Sequence, residues 1–490
     1  MSAKEVKEAF VSNLNGTSLE EVALGSFLTP LCFINRGFML IICHKAKGSL
    51  PLPLPVVSHL FLDFLTLVLP LILSCTVLSD MLFQVVLSFT VALTCVFCFI
   101  YSSNSQTTVS SFPQSHVQFS QVPFVTFFRV MVNVQTAISI LAVDFSVFPR
   151  RYAKTEVYGT GVMDFGVGAF VFANALVCPE ARRRTISGSK LNYISKQIVS
   201  VWPLVALGLA RLASVKMTNY QEHVTEYGVH WNFFFTLAIV RVLVSILLIV
   251  LPVSKSGLFA LLFCGFYQFA LESTGLKAFL IHNSDREKDF LHANKEGMFS
   301  VVGYVAIYMA GVQSGLYVMQ PRSQVREWLK ALCNLLLGSL VLFAALYTCQ
   351  TLVEPVSRRL ANLPFCLWSV AQSLFFISCI GIADVILLFS KRISGCHIVP
   401  TSWNIFKKQS DSVCDKKVGE MERICLVQAV NKNQLLFFLL ANIMTGLTNS
   451  TVDTLSCTDL FSVCVLLLYM FMNCTIMYVF NVCGITVKFW

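Results

Sequence analysis

The stretch LAVDFSVFPRRYAKTEVYGTGVMDFGVG, from Leu141 to Gly168, begins as one apolar span and ends as another. Between them it carries Asp144, Arg150, Arg151, Lys154, Glu156 and Asp164, with Tyr152, Tyr158, Gly159 and Gly161 close by. A carboxylate in the last turn of an apolar helix costs about 2.5–3.5 kcal/mol at bilayer depth, less near the interface, and persists where it has a partner or a role. Pro149 stops the helix and lets the chain turn back, so that Lys154 follows beyond the turn.

The composition around this stretch places it in a bilayer. Of 490 residues, 56% are hydrophobic and 13% charged, against about 25% charged in a soluble globule. The mean hydropathy is +0.71. Apolar runs reach the roughly 20 residues that cross a hydrocarbon core, so the expected fold is all-α, a polytopic transmembrane helical bundle forming a single membrane domain over 1–490. Thirteen candidate spans are read at 22–43, 55–77, 79–101, 124–146, 161–178, 198–215, 232–251, 256–274, 298–318, 331–350, 363–390, 434–451 and 459–482. The 18 cysteines lie mostly inside these runs. They have neither zinc spacing nor a disulfide framework, so no metal is assigned.

An odd number of spans puts the termini on opposite sides, and the positive-inside rule chooses the orientation. With a lumenal N-terminus and a cytosolic C-terminus, 20 of the 36 lysines and arginines face the cytosol and 12 face the lumen. The other four, Arg36, Arg129, Arg211 and Arg241, lie in spans. The net charge of +10 is therefore read as topology, and no nucleic-acid partner is expected. The tail 1–21 becomes lumenal, which suits glycosylation at Asn15 in the sequon Asn15-Gly16-Thr17. The segment 391–433 becomes a long, partly disordered cytosolic loop, and the Ser/Gln-rich Tyr101 to Val122 a flexible one.

Four polar constellations fall on the lumenal side. In the opening stretch, Asp144 and Lys154 read either as a base and an oxyanion partner for a hydroxyl nucleophile or as a structural ion pair. Arg150 and Arg151 suit lipid phosphate, and Glu156, Tyr158 and Asp164 share their loop. The second constellation is Glu222, His223, Glu226, Tyr227, His230, Trp231 and Asn232, which reads as a lining for a polyhydroxylated substrate or as a solvated loop. The third is His292, Asn294 and Glu296, at the mouth of a span whose Gly297, Gly303, Gly311 and Gly315 read as helix packing. In the fourth, Asn442, Thr445, Asn449 and Asp453 recur every three to four residues as one helix stripe. On the cytosolic side Arg182, Arg183 and Arg184 form a basic cluster.

No Gly-x-Ser-x-Gly elbow, Walker loop or dinucleotide fingerprint is present. This argues against serine-esterase chemistry and nucleotide hydrolysis. It leaves direct group transfer, a lipid transporter or flippase, or a non-catalytic subunit of a lipid-modifying complex. A membrane-bound O-acyltransferase of the type built on a histidine inside a span is disfavoured, because all eight histidines fall in loops or near span ends.

The runs LAVDFSVFPRRYAKTEVYGTGVMDFGVG, NYQEHVTEYGVHWNFFFTLA, HANKEGMFSVVGYVAIYMAG, SRRLANLPFCLW and NIMTGLTNSTVDTL together resemble the PIG-W family, the inositol acyltransferases of glycosylphosphatidylinositol (GPI) anchor biosynthesis. The resemblance covers nearly the whole chain and is weakest in Ser74 to Val122 and in 391–433. It implies an endoplasmic reticulum membrane enzyme that works on the lumenal side. Such an enzyme moves a fatty acyl chain, usually palmitoyl, from acyl-CoA as co-substrate to the 2-hydroxyl of inositol in glucosaminyl-phosphatidylinositol. No bound cofactor is implied. The acid and lysine of the family's D-F-x-x-F-P-R-R-x-A-K motif fall on Asp144 and Lys154, which the resemblance makes catalytic. With a CoA thioester as donor, Arg182 to Arg184 become candidates for its phosphates.

Overall fold

In a bilayer every backbone N–H and C=O must be satisfied within the chain, and an apolar run does this as an α-helix. The computed structural model describes residues 10, 14–46, 56–102, 109–119, 123–182, 189–218, 224–282, 286–396, 399–405 and 425–487. Its principal helices are α1 (Leu19–Ala46), α2 (Val57–Ser74), α3 (Leu82–Ser102), α4 (Pro123–Ala142), α5 (Val162–Ala175), α6 (Lys190–Ser200) and α7 (Trp202–Thr218). They continue as α8 (Phe233–Val250), α9 (Ser256–Ser273), α10 (Lys295–Val318), α11 (Val325–Leu352), α12 (Leu363–Ser394), α13 (Gln434–Thr451) and α14 (Asp459–Val482). Among the described residues eleven helical segments are long and apolar enough to cross a membrane, where thirteen spans were expected. The two outside that set are α5, only 14 residues long, and α13, whose Asn442, Thr445, Thr448 and Asn449 dilute its apolar character.

The hub is α12. Its 32 residues are buried along nearly their whole length and are packed by α1, α4, α5, α10 and α11. Close approach replaces the hydrophobic effect as the force between helices in lipid. Gly303, Gly311 and Gly315 of α10 accordingly press on Ala361, Ala175 and Leu176, the packing role read for them from sequence. Interhelical hydrogen bonds add register. Gln372 Nε2 donates to Ser26 Oγ at 3.0 Å, Gln135 Nε2 to Thr29 Oγ1 at 2.9 Å, and Tyr469 Oη to the Ala137 carbonyl at 3.0 Å. Within α2 the segment Phe64–Val68 is π-helical, just before Pro70, which has no N–H to continue the ladder. The outward faces are apolar, with Phe83, Phe266, Phe269 and Leu447 exposed as a lipid-facing belt.

Loops gather at the two ends of the bundle. At one end, the segment read as a flexible loop is ordered over its described part, which corrects the sequence reading. There β1 (Val117–Phe119) pairs antiparallel with β2 (Trp403–Ile405), and the Val117 N–H also donates to the Ser323 carbonyl at 2.9 Å. The reason is anchoring: Trp403 is buried against Phe124 and Trp328, and Ser402 is held by the buried Asp384. Three-residue strands leave too little alternation to be read from sequence. The long loop likewise returns to structure at Leu426–Lys432, a short helix whose Leu426 N–H donates to Asp63 at 2.9 Å. The opposite end carries most of the charge.

Candidate active site

Helix α4 stops at Ala142, and the chain turns with Asp144 at the turn. Arg150 closes that helix end. Its Nη2 donates to the carbonyls of Val143, Phe145 and Phe148 at 2.9, 3.1 and 3.0 Å, where the helix leaves unsatisfied acceptors and a partial negative charge. Burial pushes the Arg150 guanidinium down to about 10, and the Asp144 carboxylate offsets part of that shift. Half-buried Asp144 accepts a hydrogen bond at 2.6 Å from Asn449 Nδ2, which α13 brings from the far end of the sequence.

Lys154 does not pair with Asp144. Its Nζ lies 2.6 Å from Glu226 Oε1, and the same oxygen lies 3.2 Å from Arg358 Nη1. Arg358 turns its Nε to Asp164 at 2.6 Å, and Asp164 also accepts from the Thr155 N–H. Among the described residues, Lys154, Asp164, Glu226 and Arg358 thus meet in one ionic cluster. Arg358 and Asp164 lie at its buried base, with side chains 3% and 0% exposed, while Lys154 reaches the open side at 36%. Burial alone would lower the Arg358 guanidinium, but Glu226 and Asp164 outweigh it and hold the group above its ordinary value.

The remaining loop residues fasten this end together. Arg151 pairs with Glu21 at 3.0 Å and Asp80 at 2.8 Å, and Tyr152 Oη donates to Glu21 at 2.6 Å. Tyr158 Oη donates to Glu354, which also takes Lys277, Gln268 and Asn362. Burial and then Glu354 raise the Tyr158 phenol above its usual value. The N-terminal tail runs across the loop: the Thr17 N–H donates to the Thr160 carbonyl at 2.6 Å and the Glu156 N–H to the Leu14 carbonyl at 3.2 Å. Gly159 permits that contact. It sits at φ +128°, and a Cβ there would stand 2.1 Å from the Asn15 carbonyl oxygen. Gly159→Ala should therefore cost about 1–3 kcal/mol and free the tail, seen as faster amide exchange at 14–17. Unchanged protection would show that the tail does not depend on this contact.

Other candidates are placed apart from Asp144 or are engaged structurally. Asn232 caps α8, accepting from the Phe234 and Phe235 N–H groups and donating to the Gly208 carbonyl. Trp231 Nε1 donates to Thr236, Tyr227 is buried, and the His230 N–H donates to Asn294. His292 bonds to Asp289 on the surface, Asn442 to the Phe438 carbonyl, and Asp453 to Ser456. Glu156 and Arg182 are exposed, as is Asn15 on the tail. Glu222, His223, Arg183 and Arg184 lie outside the described residues.

Sequence reasoning left out the buried ions beneath the loops. Arg358 was one; others are Arg359, which shares Glu296 with the partly exposed Arg286, and Glu354. The signal was present in EPVSRRLAN, three charges in a short loop between two apolar runs, but nothing in the loop's length says that it folds inward.

Fold and site together define a polytopic helical membrane protein with its ionisable residues converging at one end of the bundle. The chain belongs to the GWT1 family, whose model matches residues 3–480. It is 44% identical over 507 residues to the glucosaminyl-phosphatidylinositol-acyltransferase PIGW of Mus musculus and 43% identical to that of Homo sapiens, covering 100% of both chains in each case. It is also 34% identical over 520 residues to the GPI-anchored wall transfer protein 1 of Eremothecium gossypii, covering 99% of each chain.

Proposed function

We propose that this chain is an acyltransferase of GPI-anchor biosynthesis, moving a palmitoyl group from acyl-CoA to the inositol 2-hydroxyl of glucosaminyl-phosphatidylinositol. The work is done in the endoplasmic reticulum membrane, with the charged end in the lumen. The names carried by its full-length relatives support the reaction, and the observation that carries the site is Asp144, half-buried at a helix end and held by Asn449. A secondary hydroxyl is a poor nucleophile. Asp144 takes its proton as the oxygen attacks the thioester carbonyl; the new C–O bond forms, the C–S bond breaks, and the CoA thiolate leaves and is protonated. Lys154, paired with Glu226, offsets the charge of the developing oxyanion.

The test is a reaction of membranes carrying the chain with labelled palmitoyl-CoA and glucosaminyl-phosphatidylinositol. The expected product resists phosphatidylinositol-specific phospholipase C, because acylation blocks the 2-hydroxyl that this cleavage uses. Lipid redistribution without such a product would replace transfer by transport. Sidedness has its own readout: a glycosidase-sensitive mass shift lost in Asn15→Gln places the tail in the lumen, and a glycan-free chain removes this support.

A further inference from the structure

Asparagines inside the helices of this bundle follow a common pattern. Asn133, Asn174, Asn442 and Asn473 each turn Nδ2 back to the carbonyl four residues earlier in their own helix. Bonding of this kind satisfies a polar side chain without help from a neighbouring helix. Asn449, in the last turn of α13, departs from the pattern and reaches across to Asp144, with Nδ2 2.6 Å from Oδ2.

The chemistry of that contact fixes which end of the amide does what. An ionised carboxylate only accepts, so the NH2 meets Asp144 and the amide oxygen is left for another donor. Among the described residues it finds none: Asn449 Oδ1 is buried and unpaired. The hydroxyls around it on α13, those of Thr445, Thr448, Ser450 and Thr451, donate to carbonyls of their own helix. A buried acceptor without a donor is costly and calls for a reason. This one stands within about 5 Å of the Asp144 carboxylate, one hydrogen bond plus the width of an amide away.

The acceptor lipid supplies such a donor. The hydroxyl on carbon 2 of its inositol has two ring neighbours, the phosphodiester oxygen on carbon 1 and the hydroxyl on carbon 3. An amide oxygen repels the first and accepts from the second. We propose that Asn449 Oδ1 accepts a hydrogen bond from the inositol 3-hydroxyl while Asp144 takes the proton of the 2-hydroxyl. The two side chains then clasp a vicinal diol, and the clasp sets which hydroxyl is acylated. This assignment deepens the acyltransferase reading and rests on it for the identity of the lipid. Asn449 does two things with one amide: the NH2 holds the carboxylate, and the oxygen holds the ring.

The full chain, reconstituted in phosphatidylcholine nanodiscs, is given glucosaminyl-phosphatidylinositol, its 3-deoxy form and its 5-deoxy form, which lacks a hydroxyl remote from the attacked one. Binding of each lipid and its acylation by palmitoyl-CoA are measured for wild type and Asn449→Ala. In the wild type, loss of the 3-hydroxyl should lower kcat/KM by about 10- to 100-fold, because it leaves the amide oxygen unpaired. Asn449→Ala should be slower with every lipid, having also released Asp144, and should no longer distinguish the 3-deoxy form from the parent. Any penalty for the 5-deoxy form should be the same in both. An asparagine with a structural role alone would slow every lipid and keep the discrimination. A wild type indifferent to the 3-hydroxyl, or a variant that keeps the full penalty, overturns the assignment while the acyltransferase reading stands. If even the wild type acylates none of the lipids, that reading falls, and the affinities decide: 3-hydroxyl-dependent binding lost in the variant keeps the clasp, and binding blind to that hydroxyl removes it. Where Asn449→Ala does not fold, Asn449→Ser, too short to span both groups, takes its place.

Discussion

Asp144→Asn should lower acyl transfer by about 10²-fold or more in a chain that folds and melts like the wild type. The substitution keeps the side chain's shape, and an amide oxygen still accepts from Asn449 Nδ2, so the contact that ties α13 to the loop survives. What is lost is a group able to take the hydroxyl proton. The loss should therefore appear in kcat with KM for both substrates nearly unchanged, the signature of an interaction made in the transition state. Equal rates for variant and wild type at matched expression would return Asp144 to a structural part at the helix end.

The largest effect on stability is expected at Arg358. Arg358→Met removes the guanidinium that answers the buried Asp164 and one of the cations that meet Glu226. Removing one member of a buried ionic cluster costs about 3–5 kcal/mol, because the cost is that of an uncompensated charge. The thermal midpoint of the detergent-solubilised chain should fall and its monodisperse yield with it. A paired change, Arg358→Met with Asp164→Leu, removes both buried charges and should recover much of the loss. If the single variant melts with the wild type, the cluster is not what holds this end together.

The helices were legible because their signal is composition repeated over about 20 residues. Their count was not fully so. A short interior helix such as α5 and a polar one such as α13 are both stabilised by neighbours, and sequence shows no neighbours. Asp144 and Lys154 stood out because charges flank a proline between two apolar runs. Their partners did not: one of the two readings paired them, yet Lys154 turns to Glu226 and Asp144 to Asn449, residues far along the chain. The ribbon at the opposite end was misread as flexible because two strands of three residues carry almost no periodicity, while the tryptophan that pins them is a single residue.

The Asn449 to Asp144 contact also bears on how the protein is made. The two residues stand 305 positions apart, and at about 5–20 residues per second Asp144 waits roughly 15–60 s on the ribosome before its donor exists. Every helix from α5 to α12 is synthesised in that interval. A message cut just before the codon for Asn449 therefore encodes nearly all of the bundle without this contact, so the last tenth of the chain completes the surroundings of the residue proposed as the base.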